Sequence, residues 1–239
     1  MKERKIQLTG GSTYTVSLPK EWANDIDVEP GDTLRLYPHE TQLVIEPSRK
    51  SEAVKQATAS VEGYSDEQIR RVILAFYTSG FATITLTEPT GFDHSSRVIA
   101  GTARKLIGLE IVESGETEIT LKNLLNSSTV SVEQSTKQIQ QVALSMHEDA
   151  VTALVEQDTN RAERVSERDD QIHRLYAMVL RQFQRALDNP VNTEELELER
   201  ITLSDYQTTA RQLERVADHA VKIAELATRF EQPPPDRKS

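Results

Sequence analysis

The chain has no cysteine among its 239 residues. That excludes disulfides, thiolate metal sites and cysteine nucleophiles together, and it fits a reducing compartment. No apolar run approaches the roughly 18 residues that a membrane-spanning helix needs. The first residues, MKERKIQLTGG, lack the apolar core of a signal peptide, so a cytoplasmic location is expected. No glycine-rich phosphate loop, nucleophile elbow or paired-histidine motif occurs. Without a nucleophile–base set or a placed acid/base pair, the chain is not expected to be an enzyme.

What is present is globular in composition: 37% hydrophobic and 28% charged residues, enough to build cores. The length suggests two or three domains. The formal net charge is −10. Taken over the whole chain this opposes nucleic-acid binding, which needs basic groups for phosphates. The charge is uneven, however. Residues 1–20 carry Lys2, Arg4, Lys5 and Lys20 against one acid, Glu3. A basic end on an acidic body can meet DNA through that end.

Three segments follow from the patterning, and together they predict a multidomain α+β protein. In the first, residues 1–48, Ile6 and Leu8, then Tyr14, Val16 and Leu18, alternate with polar residues across a Gly10-Gly11-Ser12 turn. Pro19 starts a short helical turn, KEWANDI, and TLRLYPHETQLVIEP reads as a hairpin after Pro30-Gly31-Asp32. So small a β unit without disulfides is marginal alone. It is expected to form a dimer with interleaved strands, the alternative being a β element docked on the next domain.

The second segment, 52–125, predicts a small α/β sandwich. A helix with an apolar face of Ile69, Val72, Ile73 and Phe76 is followed by the strand ATITLTE. A second helix ending at Gly108 and a hairpin across Gly115-Glu116 complete it. The third, 130–231, predicts a three-helix bundle: about 131–157, from Asp158 or Thr159 to before Asn189-Pro190, and from Asn192 or Thr193 to about Phe230. Residues 232–239, rich in proline, are expected to be a disordered tail. The third bundle helix shows a heptad seam: Leu203, Tyr206, Ala210, Leu213, Ala217, Ala220, Ala224 and Ala227.

Some charges fall where packing does not want them. The second bundle helix places Asp169 inside its apolar stripe, between Val165 and Ile172. A carboxylate there must be paired, hydrogen-bonded, metal-bound or neutralised. On the third helix, Glu214 and Asp218 lie one turn apart, at a like-charge cost of roughly 0.2–0.5 kcal/mol. Two readings are open. Arg211 and Lys222 lie at salt-bridge spacing and can make this a structural charge cluster. Alternatively Glu214, Asp218 and Asp169 hold a hard cation, a divalent metal or iron, through oxygens. His147, His173 and His219 form no i, i+4 histidine pair and read as solvated or core residues.

The segments VSERDDQIHRLY (Val165–Tyr176) and TTARQLERVADHAVKIAEL (Thr208–Leu226) resemble the last two helices of a PhoU-type domain. GGSTYTVSLPKEW and PGDTLRLYPHETQLVIEP resemble the AbrB/SpoVT swapped-hairpin domain. The combination, with RKLIGLEIVESGETEITLKNLL and ALSMHEDAV between, is similar to archaeal PhoU-family proteins with an AbrB-type N-terminus. The resemblance implies a homodimeric transcriptional regulator of phosphate uptake that binds double-stranded DNA through Lys2, Arg4, Lys5, Ser12, Thr13 and Lys20. The alternative is a PhoU-like adaptor restraining the phosphate importer by contact with its subunits, without DNA binding. Glu214 and Asp218 match the family's carboxylate metal motif. The counterpart on the second helix falls at Tyr176 and Leu180, neither a carboxylate. The family commonly has two tandem bundles and this chain shows one, so either it is shortened or a dimer supplies the second.

Overall fold

The structure, a computed structural model, describes residues 3–39, 41–47, 55–92, 94–125, 131–188 and 200–229. Lys2, the start of the third bundle helix near Asn192 and the tail at 232–239 lie outside the described residues. The chain divides into two compact units, Met1–Ala53 and Val54–Ser239.

In the first unit, β1 (Gln7–Thr9) pairs antiparallel with β2 (Thr13–Thr15). Gly10 and Gly11 make the turn at φ +62° and +78°, a backbone other residues rarely adopt. The helix α1 (Lys20–Asp25) begins directly after Pro19. A hairpin, β3 (Leu34–His39) with β4 (Gln42–Pro47), ends the unit. These are the elements that the alternation and the proline predicted. Their apolar side chains stay in solvent: Ile6, Leu8, Tyr14, Val16, Leu36 and Leu43 are 46–77% exposed, while Tyr37 is buried.

The second unit joins the sandwich and the bundle. The sequence reading separates 52–125 from 130–231; here they form one compact unit that keeps two cores. The sheet order is β5-β6-β8-β7. The strand β5 (Gln56–Ser60) runs parallel to β6 (Thr83–Thr87), and the crossover is α2 (Asp66–Thr78). Ser65 and Gln68 form a capping box at its start. Ile69, Ile73 and Tyr77 bury one face of α2 against the sheet. The strands β8 (Glu118–Asn123) and β7 (Leu109–Ser114) complete the sheet as an antiparallel pair.

The helix α3 (Ser95–Arg104) stops four residues before the expected Gly108. Residues 105–108 turn instead, with Gly108 at φ +76°. A Cβ there would lie 2.3 Å from Leu125 Cγ, so the glycine serves close approach rather than capping.

Three long helices form the bundle: α4 (Val132–Glu156), α5 (Thr159–Asp188) and α6 (Arg200–Arg229). Ser131 caps α4 and Asp158 caps α5, its Oδ1 accepting from the Arg161 amide at 3.0 Å. Leu203, Ala210, Ala217, Ala220, Ala224 and Ala227 of the predicted seam are buried, with Tyr206 and Leu213 packed beside them. The small side chains let α6 lie close to both neighbours.

The second bundle helix, α5, is buried on two sides. One face packs in the bundle, and Ala177 belongs to the sandwich core. Beside it Arg181 is buried, and its Nη1 donates to the carbonyls of Tyr77 (2.8 Å) and Phe81 (2.7 Å). Its guanidinium also sits 5.1 Å from the centre of the Tyr77 ring. Burial pulls Arg181 down to about 10, which leaves it charged at neutral pH. Lys55 with Asp188 and Lys105 with Asp170, each 2.8 Å apart, add exposed bridges between the two layers.

Candidate functional site

The apolar stripes of α5 and α6 force these helices together, and the contacts run in opposite directions along them. His173 meets Glu214 and Asp218, while further along α5 Tyr176 lies near Gln207 and Arg211. This antiparallel register carries the misplaced charges to one point. Asp169 Oδ2 lies 3.3 Å from His173 Nδ1, one turn on. His173 Nε2 faces Glu214 Oε1 at 3.6 Å and Asp218 Oδ1 at 4.0 Å. Three carboxylates thus surround one imidazole.

The electrostatics show crowding. Burial raises the Asp169 carboxyl above its ordinary range, His173 opposes this, and Asp218 and Asp170 add to it. Burial also raises Glu214, followed by repulsion from Asp218. Asp169 Oδ1 is buried with no hydrogen-bond partner. An orphaned buried carboxylate oxygen is costly and calls for a positive partner.

The donor set answers the question of fit. Ligand atoms about 2.0–2.2 Å from a shared ion stand roughly 3–3.6 Å from one another. Asp169, His173 and Asp218 each bring one donor atom within 4.8 Å of the others, so a small inward rotation of the side chains completes such a site. Three oxygens and one nitrogen suit a borderline transition ion such as iron, manganese or zinc.

This extends the sequence reading at one point and corrects it at another. His173, read as solvated or core, is exposed and also stands at the centre of the cluster. His147 and His219 are exposed too. The missed signal was Asp169-x-x-x-His173, a carboxylate and an imidazole at i, i+4. Second, Arg211 and Lys222 make no ion pair with Glu214 or Asp218 among the described residues; both are exposed. Arg211 acts on Glu214 and Tyr176 only through its field. Tyr176 and Leu180 remain unable to act as carboxylates, and the α5 contribution comes from one to two turns earlier instead.

Residues 136–227 match the family model described as PhoU domain, spanning the bundle and all four cluster residues. The bundle is a PhoU domain. Residues 7–53 match the model described as antidote-toxin recognition MazE, bacterial antitoxin. The two matches support the expected order of a MazE/AbrB-like unit before a PhoU bundle, with the α/β layer between them seen in the structure. No curated protein and no solved structure matches the chain.

In the MazE-like unit, Arg4, Lys5, Ser12, Thr13 and Lys20 are all exposed. Ser12 and Thr13 sit at the tip of the first hairpin and Lys20 opens α1. Arg4 donates to the neighbouring Glu3 carbonyl. Among the described residues, no helix is long and apolar enough to cross a membrane.

Proposed function

We propose that this chain is a cytoplasmic, homodimeric regulator of phosphate uptake and homeostasis, not an enzyme, that binds double-stranded DNA through its MazE-like unit. The observation that carries this reading is the joining of that unit to a PhoU domain in one chain. The dimer is supported by the apolar residues left in solvent in the first unit. Burying the part still exposed would contribute about 1–2 kcal/mol for each. Interleaving with a second copy would cover them and double the basic groups facing DNA. Those contacts would position the protein more than specify sequence.

The test is fluorescence anisotropy on promoter DNA of phosphate-uptake genes against scrambled DNA, across a salt series. A preference with a steep salt slope, flattened in a Lys5→Ala/Lys20→Ala variant, is the expected result. Absence of binding at every salt concentration would remove DNA from the reading.

A second reading is favoured by the net charge of −10. Here the N-terminal unit only dimerises, and the PhoU domain restrains the phosphate importer by contact with its subunits. Retention on importer subunits without DNA binding would select it.

Under either reading the cluster of Asp169, His173, Glu214 and Asp218 would hold iron or another divalent metal. Calorimetric titration with manganese and zinc should give heat that Glu214→Ala diminishes. No heat, and no effect of the substitution, would end the metal assignment.

A further inference from the structure

Between α2 and α3 on one side and α5 on the other lies an open cavity of about 900 Å³. Small-molecule sites occupy roughly 300–1,000 Å³ and combine apolar walls with a few placed polar groups. The walls here are Leu74 from α2, Val98 from α3, Leu106 just after it, and Ala177 and Leu180 from α5. Leu74 is 42% exposed. Gly101 on α3 also lines the space, and a Cβ added there would meet nothing within 4 Å.

The cationic groups in this cavity are not equivalent. Arg70 and Arg71 are engaged by Asp66 and Glu67 on their own helix. Lys105 is engaged by both oxygens of Asp170. Arg97 on α3 and Arg174 on α5 make no side-chain hydrogen bond or ion pair among the described residues, yet both line the cavity. The carboxylates in the lining are Asp66 and Asp170, which face Arg70 and Lys105, and Glu214, which faces His173. Two guanidinium groups from separate helices, in a cavity that also has apolar side chains, suit an oxyanion: each offers a planar fork of donors.

We propose that this cavity binds a small organic anion, with its oxyanion head on Arg97 and Arg174 and its apolar body against Leu74, Val98, Leu106 and Leu180. Phosphate and carboxylate heads share this chemistry. The site lies within the second unit and does not depend on DNA binding by the first.

The test uses the full chain and 1-anilinonaphthalene-8-sulfonate, a fluorescent probe with an anionic head on an apolar body. Wild type should show one saturable site. An Arg97→Met/Arg174→Met variant removes the charges and should weaken that site at least tenfold. Gly101→Phe keeps every charge and fills the space, and it should weaken the probe to the same degree. Circular dichroism checks that both variants are folded. Probe bound to exposed side chains of the first unit is common to all three proteins and cancels in the comparison.

Competition then identifies the head. Displacement by adenosine monophosphate alone supports the proposal with a phosphate head, and displacement by octanoate alone supports it with a carboxylate. Inorganic phosphate, lacking a body, should compete at least tenfold more weakly. Unchanged probe affinity in both folded variants overturns the proposal. So does displacement by neither organic anion, or displacement by inorganic phosphate as effective as by adenosine monophosphate.

Discussion

Replacing Glu214 by Gln removes one charge from the crowded cluster and keeps the shape of the side chain. Glu214 and Asp218 lie one helical turn apart, and relief of that repulsion is worth roughly 0.2–0.5 kcal/mol. Relief of Glu214 burial adds to this, and the lost attraction to His173 opposes it. That attraction acts across 3.6 Å, beyond hydrogen-bond range. The net expectation, with metal removed by chelator at neutral pH, is a gain of about 0.5 kcal/mol. For a chain of this size that is a rise of about 1–2 °C in Tm. The sign has a pH signature. The folded state raises Glu214 above the ordinary value of 4.5, so the native protein holds that proton more tightly than the unfolded chain. The wild-type penalty is therefore absent below about pH 4.5 and develops as pH rises through the folded value. The advantage of the variant should be full at neutral pH and vanish towards pH 4.5. Saturating metal should then invert the order. A ligand at 100 times its Kd stabilises wild type by about 2.7 kcal/mol, and the neutral amide should bind it less well. Differential scanning calorimetry with chelator and with manganese reads both arms. A chelated variant less stable than wild type at neutral pH would show that the His173 attraction dominates, and the crowding argument would fail.

Three further outcomes are expected. Asp158→Ala removes the cap of α5 and should cost about 1 kcal/mol in urea denaturation. Gly101→Ala extends α3 into open space and should stabilise by about 0.5–1 kcal/mol, seen as a higher urea midpoint. Arg181→Met leaves the Phe81 carbonyl without its donor, while the Tyr77 carbonyl keeps the Gly80 amide at 3.1 Å; allowing for relief of a buried charge, it should cost about 1–2 kcal/mol, again by urea midpoint.

Most elements of the fold were legible because their signals are local. Period-two alternation found β1 to β4, heptad steps found the α6 seam, and Asp158 and the glycine turns marked boundaries. The end of α3 was misread because Gly108 looks like a helix cap, whereas its role is set by Leu125, a neighbour across the fold. The double burial of α5 was hidden for a similar reason. Arg181 reads as a solvent-facing charge until two carbonyls from the sandwich are brought to it. In the cluster, the carboxylates were visible as charges on apolar faces. His173 was not, because its partners arrive from α6 and only the antiparallel register brings them within reach.

One helix, α5, carries the acidic cluster near its middle and the buried Arg181 further along. Twelve residues separate Asp169 from Arg181, about 18 Å of continuous helix with no loop between. The two sites are therefore fixed points on one stiff rod. An axial slide or rotation imposed on that rod at the cluster would arrive at the Tyr77 and Phe81 carbonyls undiminished, because there is no joint along the way to absorb it. The sandwich would have to follow the movement or release the guanidinium.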